Sequence, residues 1–341
     1  MASLRFAMFG AGFWARFQLA GWKELPGATC VAIYNRTLSK AEALAQEFSV
    51  AAVYSDPLEL FRREKLDFVD LVTDVYTHSR FVHMAVSHKL PVVCQKPMAP
   101  ALDVAAEMVK ACADAGVPLF INENWRWQTP IRQMKSVLDS GAIGTPFRAR
   151  VDMISGFPVF RNQPFLKELA QFILTDLGSH ILDVARFLFG EPDSVYCQTQ
   201  RVHPDIKGED VATVVMRMGG TTTVLAEMAY AENPLERECF PQTLMFIEGE
   251  KGSAELCTDY RICVTTSKGT HCKRYPPPRY AWADPTCDVV HSSIVDCQAN
   301  ILSALRGAAV AETTGEDNLR TCRLVFAAYD SARENKVVEL G

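Results

Sequence analysis

The chain has 341 residues, 48% of them hydrophobic and 22% charged, which excludes a disordered, collagen-like or low-complexity protein. At roughly 150 residues per domain this length predicts about two domains, each able to bury a core. The 35 Lys and Arg against 40 Asp and Glu leave a net charge of −5, which argues against nucleic acid or an anionic membrane as a partner.

The opening Met1-Ala-Ser-Leu-Arg-Phe6 lacks the zones of a signal peptide, and no apolar run reaches the length of a membrane span, so a cytoplasmic location is expected. The 11 cysteines are odd in number, scattered and never spaced Cys-x-x-Cys. That pattern predicts mostly reduced, buried thiols rather than a disulfide framework or a zinc ribbon.

Arg5 to Phe9 reads as a buried strand that runs into Gly10-Ala-Gly12-Phe-Trp-Ala15 and then a helical stretch, Arg16 to Leu25. Gly10 suits the tight turn, Gly12 lets the backbone approach a pyrophosphate, and Ala15 lets helix pack on strand. The first helical turn, opened by Gly12, Phe13 and Trp14, presents free N–H groups and a positive dipole end to phosphates. Alone the motif is only a glycine-rich turn; its context decides it. A second strand, Cys30 to Tyr34, precedes a helix with Ala41, Leu44, Ala45 and Phe48 on one face. Strands at Ala51 to Tyr54, Phe68 to Val72, Pro91 to Cys94 and Leu119 to Ile121 follow, separated by helical patterns, and complete a doubly wound sheet over residues 1–122.

Where an NAD enzyme usually places a carboxylate for the ribose, the chain reads Tyr34-Asn35-Arg36-Thr37. Arg36 suits a 2′-phosphate and Asn35 suits either ribose, so NADP is favoured over NAD, with a solvated Arg36 as the bland alternative.

From residue 123 the alternation stops. Period-two runs at Phe147 to Ile154, Ser194 to Val202, Val211 to Met218, Thr221 to Tyr230, Thr243 to Glu248 and Ser253 to Thr258 predict a mostly antiparallel open sheet in an α+β domain spanning 123–341. Gly219-Gly220 and Glu250-Lys251-Gly252 read as turns. Helical periodicity returns at Val295 to Leu305 and at Asp317 to Ala332, the last helix being placed to pack back on the first domain.

Gln95-Lys96-Pro97 puts a lysine at the carboxyl end of a parallel strand, where open α/β sheets bind ligands; the alternative is a surface lysine. Asp176, His180 and Asp183 fall along one polar stripe of a predicted helix reaching Phe189. An imidazole beside a carboxylate can take a proton from a hydroxyl near neutral pH, although the same residues also suit ordinary helix-terminus chemistry. No further ligand pattern accompanies them, so no metal site is expected, and His78, His83 and His88 do not share a helix face. Asn122-Glu-Asn124-Trp125-Arg126-Trp127 mixes aromatic and polar groups as a sugar site does, or packs the domain junction.

These residues together resemble the Gfo/Idh/MocA family of oxidoreductases, in order and along nearly the whole chain. The resemblance rests on Gly10-x-Gly12-x-x-Ala15, Thr73 to His78 in place of Thr-Pro-Asn-x-x-His, Gln95-Lys96-Pro97 for Glu-Lys-Pro, and Asp176-x-Gly-x-His180-x-x-Asp183. It extends to Ile247-Glu-Gly-Glu-Lys-Gly252, Gly315-Glu-Asp317 and Ala328-Tyr329-Asp330-Ser331. It implies Lys96, Asp176 and His180 as the catalytic group, Thr73, His78 and Gln95 near the cofactor, and homodimers or homotetramers built through the open sheet. The expected activity is NAD(P)-dependent hydride transfer at a secondary alcohol or ketone of a sugar, inositol or related polyol. Asn124 and Arg126 are expected to join Lys96, Asp176 and His180 at the substrate. Two alternatives share the fold: a tightly held cofactor recycled in a redox-neutral sugar conversion, and a non-catalytic nucleotide sensor. Asp74-Val75 and Gln95 depart from the family's Pro-Asn and Glu.

Overall fold

Phe6, Ala7, Met8 and Phe9 are all fully buried, as a strand covered on both faces requires. In this computed structural model, which describes residues 3–231 and 241–340, they form β1 (Leu4–Phe9), followed by α1 (Phe13–Lys23), β2 (Ala28–Tyr34), α2 (Leu38–Phe48), β3 (Ala52–Tyr54), α3 (Pro57–Arg63), β4 (Phe68–Leu71), α4 (His78–Ser87), β5 (Val92–Gln95), α5 (Leu102–Ala115) and β6 (Leu119–Asn122). The six strands are parallel in the order β3-β2-β1-β4-β5-β6. The order reverses between β1 and β4, so the carboxyl ends of these neighbours frame the crevice where such sheets bind ligands. Local chemistry sets the boundaries. Asp56 caps α3 at the Leu58 N–H with Pro57 behind it, and Gly116 ends α5 at φ +66°.

The second half supplies α6 (Thr129–Asp139), β7 (Pro146–Ser155), α7 (Val159–Asn162), α8 (Ile173–Asp176), α9 (Gly178–Phe189), β8 (Pro192–Gln200), β9 (Val211–Met218), β10 (Thr222–Tyr230), β11 (Leu244–Gly249), β12 (Gly252–Cys257), β13 (Arg261–Thr266), β14 (Gly269–Arg274), α10 (Asp288–Leu305), α11 (Gly315–Glu334) and β15 (Val338–Glu339). Its sheet runs β14-β13-β12-β11-β7-β10-β9-β8-β15, antiparallel except where β10 meets β7. Alternation puts Ala149, Val151 and Met153 of β7 and Val224, Ala226 and Met228 of β10 on the buried face, against which α9 packs. The opposite face carries Arg150 paired with Asp152 and Glu227.

Two compact units result. One takes residues up to Asn124 with Tyr280–Ala283 and His291–Cys322; the other takes Trp125–Arg279, Asp284–Val290 and the chain from Arg323. Leu319 and Cys322 of α11 pack on the core of the first unit. Among the described residues no helix is long and apolar enough to cross a membrane.

Three expectations need correction. The β13–β14 hairpin was not anticipated, because every residue of β14 is exposed and leaves no apolar period to read. It also sets Cys263 opposite Cys272, and the two are disulfide-bonded, while the other described cysteines are in no disulfide. Strand register, invisible in the cysteine spacing, makes that pair. Finally, the helix expected from Asp176 to Phe189 is two: Asp176 ends α8, and α9 begins at Gly178, where an added Cβ would lie 3.3 Å from Met228 Sδ.

Candidate active site

The first unit holds a cradle built around the end of β1. Gly10 has φ +109°, and a Cβ there would lie 2.1 Å from the Val72 carbonyl oxygen, so the fold itself demands glycine. Gly12 is different: its φ of −84° suits any residue, and a Cβ would meet nothing within 4 Å. The space over Gly12 is open, and no side chain caps the amino terminus of α1. Phe13 is exposed, while Trp14 leans on Phe17 and His291. Asn35 Oδ1 accepts the Ala11 N–H at 3.1 Å and its Nδ2 donates to the Thr37 carbonyl at 2.8 Å, tying the glycine turn to the end of β2. Arg36 beside it is exposed.

The loop after β4 forms the other wall. Thr73 accepts a hydrogen bond from Thr77 Oγ1 at 2.9 Å, and Asp74, standing in the place of the family's proline, caps the Tyr76 N–H at 3.0 Å. His78, expected near the cofactor, is buried between the Met98 and Thr73 carbonyls, each 3.2 Å from a ring nitrogen. Burial lowers its pKa, and the neutral ring, with a single N–H, donates to one of these two carbonyls, the tautomer setting which. Gln95 Oε1 accepts the Lys96 N–H at 2.8 Å, whereas its buried Nε2 has no hydrogen-bond partner among the described residues. Lys96 is half-buried and its peptide to Pro97 is cis. Open space above Gly12, unpaired helix N–H groups and an amide donor awaiting an acceptor fit a dinucleotide with a pyrophosphate and a carboxamide.

The second unit holds Asp176 and His180, the expected acid–base pair. Asp176 closes α8, and His180 lies in the first turn of α9, stacked on Trp125 with ring centroids 4.3 Å apart. Tyr230 lies behind: burial first, then the charge of Asp176, pushes its pKa well up and keeps the phenol protonated. Tyr230 also lines a cavity of about 180 Å³ with Phe160, Arg161, Lys167 and His203. Glu209 accepts the Phe172 N–H and the Tyr329 hydroxyl, so it holds the entry to α8.

Three of the residues singled out in the sequence have buried polar partners. Asp183 is fully buried and gripped by Arg126, whose Nε and Nη2 donate at 2.7 and 2.6 Å. That guanidinium, expected at the substrate, anchors α9 through this pair. Asn124, in the first unit, donates to Ser293 Oγ at 2.8 Å. Tyr230 and Glu209 gave no signal in the sequence, and Tyr329 only as part of the Ala328-Tyr329-Asp330-Ser331 resemblance, because each lies far in sequence from the residues it contacts. Among the described residues no group of three His, Cys, Asp or Glu side chains is arranged to hold a metal ion.

Residues 4–123 match a family model described as an oxidoreductase family with an NAD-binding Rossmann fold, and residues 131–255 match the GFO/IDH/MocA C-terminal domain. The chain is 40% identical over 341 residues to D-apiose dehydrogenase of Rhizobium rhizogenes, covering 100% of this chain and 99% of that one. It is 40% identical to D-apiose dehydrogenase of Paraburkholderia graminis, covering 98% of this chain and 89% of that one. Among solved structures, an oxidoreductase from Agrobacterium radiobacter in complex with NAD+, L-tartaric acid and magnesium superposes with a TM-score of 0.97 at 40% identity, covering 99% of this chain and 98% of the other.

Proposed function

Because the chain belongs to the Gfo/Idh/MocA family of oxidoreductases, we propose that it is a sugar dehydrogenase whose substrate is D-apiose or a closely related small aldose. The observation that supports this reading is the end-to-end match to two proteins named D-apiose dehydrogenase, in a chain that keeps Lys96, Asp176 and His180.

A nicotinamide dinucleotide held by the Gly10–Gly12 turn would supply the hydride acceptor or donor. His180 accepts the proton of the substrate hydroxyl in the oxidation direction. Asp176 favours the imidazolium that results, and Lys96 hydrogen-bonds the reacting oxygen as negative charge develops on it. Asn35 is neutral and already paired with the backbone, so no carboxylate there repels a 2′-phosphate, and exposed Arg36 is available to meet one. The enzyme therefore accepts NADP as well as NAD. It assembles as a homo-oligomer through the outer face of the second sheet, where Val215 and Phe246 are exposed among ion pairs.

The test is reduced-nicotinamide absorbance with NAD and NADP separately, across D-apiose, other aldoses, inositols and sugar acids. Turnover concentrated on D-apiose and its neighbours is expected. Silence across the panel despite nucleotide binding would replace this reading with a recycling or sensing one, and full turnover in His180→Ala and Lys96→Ala would remove their assigned roles.

A further inference from the structure

The short 3-10 turn Trp125–Trp127 is fastened to α9 at two successive positions. Arg126 clamps Asp183, and one residue earlier Trp125 lies nearly face to face with His180, the ring planes 23° apart. Both rings are almost wholly buried, with exposures of 6% and 5%. The indole cannot slide or tilt freely, because its Nε1 donates to Thr243 Oγ1 at 2.9 Å, a buried hydroxyl at the entrance to β11. Two attachments, the Arg126–Asp183 clamp and the Nε1–Thr243 hydrogen bond, thus hold one aromatic face against the imidazole.

An indole face is electron-rich, so it favours a cation stacked on it over the neutral ring. Charged and titratable groups come to this part of α9 from several elements. Asp176 lies one turn earlier in the chain, and the Asp183–Arg126 pair lies about one turn later. Strand β10 contributes Tyr230, held protonated, with Met228 beside Gly178. Strand β7 presents Ala149, Val151 and Met153 toward α9, while Asp152 and Glu227 are engaged with Arg150 on the outer face. Arg132 and Lys135 of α6 lie over Phe187, near the far end of α9.

We propose that Trp125 is a positioning residue for the reaction: its indole fixes the plane of the His180 imidazole and favours the ring once it has taken the substrate's proton. This rests on the reading of His180 as the base, and the test separates the two. The His180 ring resonances, assigned by their loss in His180→Gln, are followed by NMR across pH in the wild-type protein, Trp125→Phe and Trp125→Leu, alongside kcat and KM. Trp125→Leu is expected to lower the titration midpoint by about 0.5 to 1 pH unit and kcat by about tenfold, with KM values nearly unchanged. Trp125→Phe, which retains an aromatic face, should recover most of both. An unmoved midpoint in Trp125→Leu, or equal impairment in the two variants, would overturn the proposal. Normal turnover in His180→Gln would instead overturn the base assignment, leaving the midpoint to judge the stack. If Trp125→Leu does not fold, Thr243→Val loosens the indole while keeping its face, and an unchanged midpoint and kcat there would also overturn it.

Discussion

Tyr329 Oη donates to Glu209 Oε1 at 2.6 Å, and the same oxygen accepts the Phe172 N–H at 3.1 Å, so one carboxylate joins the last helix to the short helix that ends in Asp176. Burial raises the pKa of Tyr329 and of Glu209, which keeps the phenol a donor. Tyr329→Phe removes that donor and leaves a buried carboxylate short of a partner. A loss of about 1 to 3 kcal/mol in urea unfolding is expected. Turnover should fall several-fold, because Asp176 loses its support, while dinucleotide affinity holds, because the cradle belongs to the other unit. A weakened dinucleotide affinity with intact turnover would contradict this arrangement.

The Arg126–Asp183 pair makes a different prediction. Its side chains are 6% and 0% exposed, and Arg186 approaches the same carboxylate at 3.7 Å. Removing one partner strands a buried charge, so Arg126→Met should cost about 3 to 5 kcal/mol. Removing both with Arg126→Met and Asp183→Leu should restore much of that. Thermal unfolding of the two single variants and the double variant gives the coupling directly; simple addition of the two losses would show that the pair is not coupled.

How much of this was legible in the sequence follows from the range of each interaction. Gly10, Gly12 and the strand that precedes them could be read because backbone geometry and period are local properties. The β13–β14 hairpin and its Cys263–Cys272 bond could not, since an exposed edge strand carries no apolar period and register is set by pairing. His180 was legible as a polar residue near a carboxylate, but the actual neighbours of that helix are Trp125, Arg126 and Tyr230, brought in from other elements. The Arg126–Asp183 pair was out of reach for the same reason: its partners are 57 residues apart, and a charged residue beside two tryptophans reads first as a sugar contact.

Asp70 gives the fold a pH dependence. It sits fully buried in β4, accepting from Trp22 Nε1 at 2.7 Å, Gln18 Nε2 at 3.2 Å and Asn122 Nδ2 at 3.2 Å. Desolvation outweighs these donors and raises its pKa to about 6. The folded chain therefore keeps a proton that the unfolded chain releases near pH 4, so stability should decline as pH rises from about 4 to 6, by roughly 3 kcal/mol. Asp70→Asn should flatten that slope, because the amide does not titrate, and Asn122 can turn its own amide to present oxygen to it. An identical slope in wild type and variant, measured by urea unfolding between pH 4 and 7, would assign the dependence elsewhere.

Cofactor choice is tested at Arg36. Arg36→Ala should lower kcat/KM with NADP by about tenfold through loss of a charge-assisted contact and leave kcat/KM with NAD within twofold. Equal losses with both dinucleotides would show that Arg36 does not distinguish them.

The two glycines of the turn should respond in opposite ways. Gly10→Ala forces a side chain into the left-handed region and against the Val72 carbonyl, so the variant should lose stability whether or not nucleotide is present. Gly12→Ala adds a methyl group to open space at an ordinary backbone conformation, so its melting temperature without nucleotide should match wild type. If a pyrophosphate lies directly over that backbone, the methyl group meets it, and dinucleotide affinity should fall at least tenfold while the apo fold is untouched. The thermal shift on adding NAD, measured for both variants, reads this difference. A full wild-type shift in Gly12→Ala would mean that the dinucleotide does not approach the turn as closely as the open space allows.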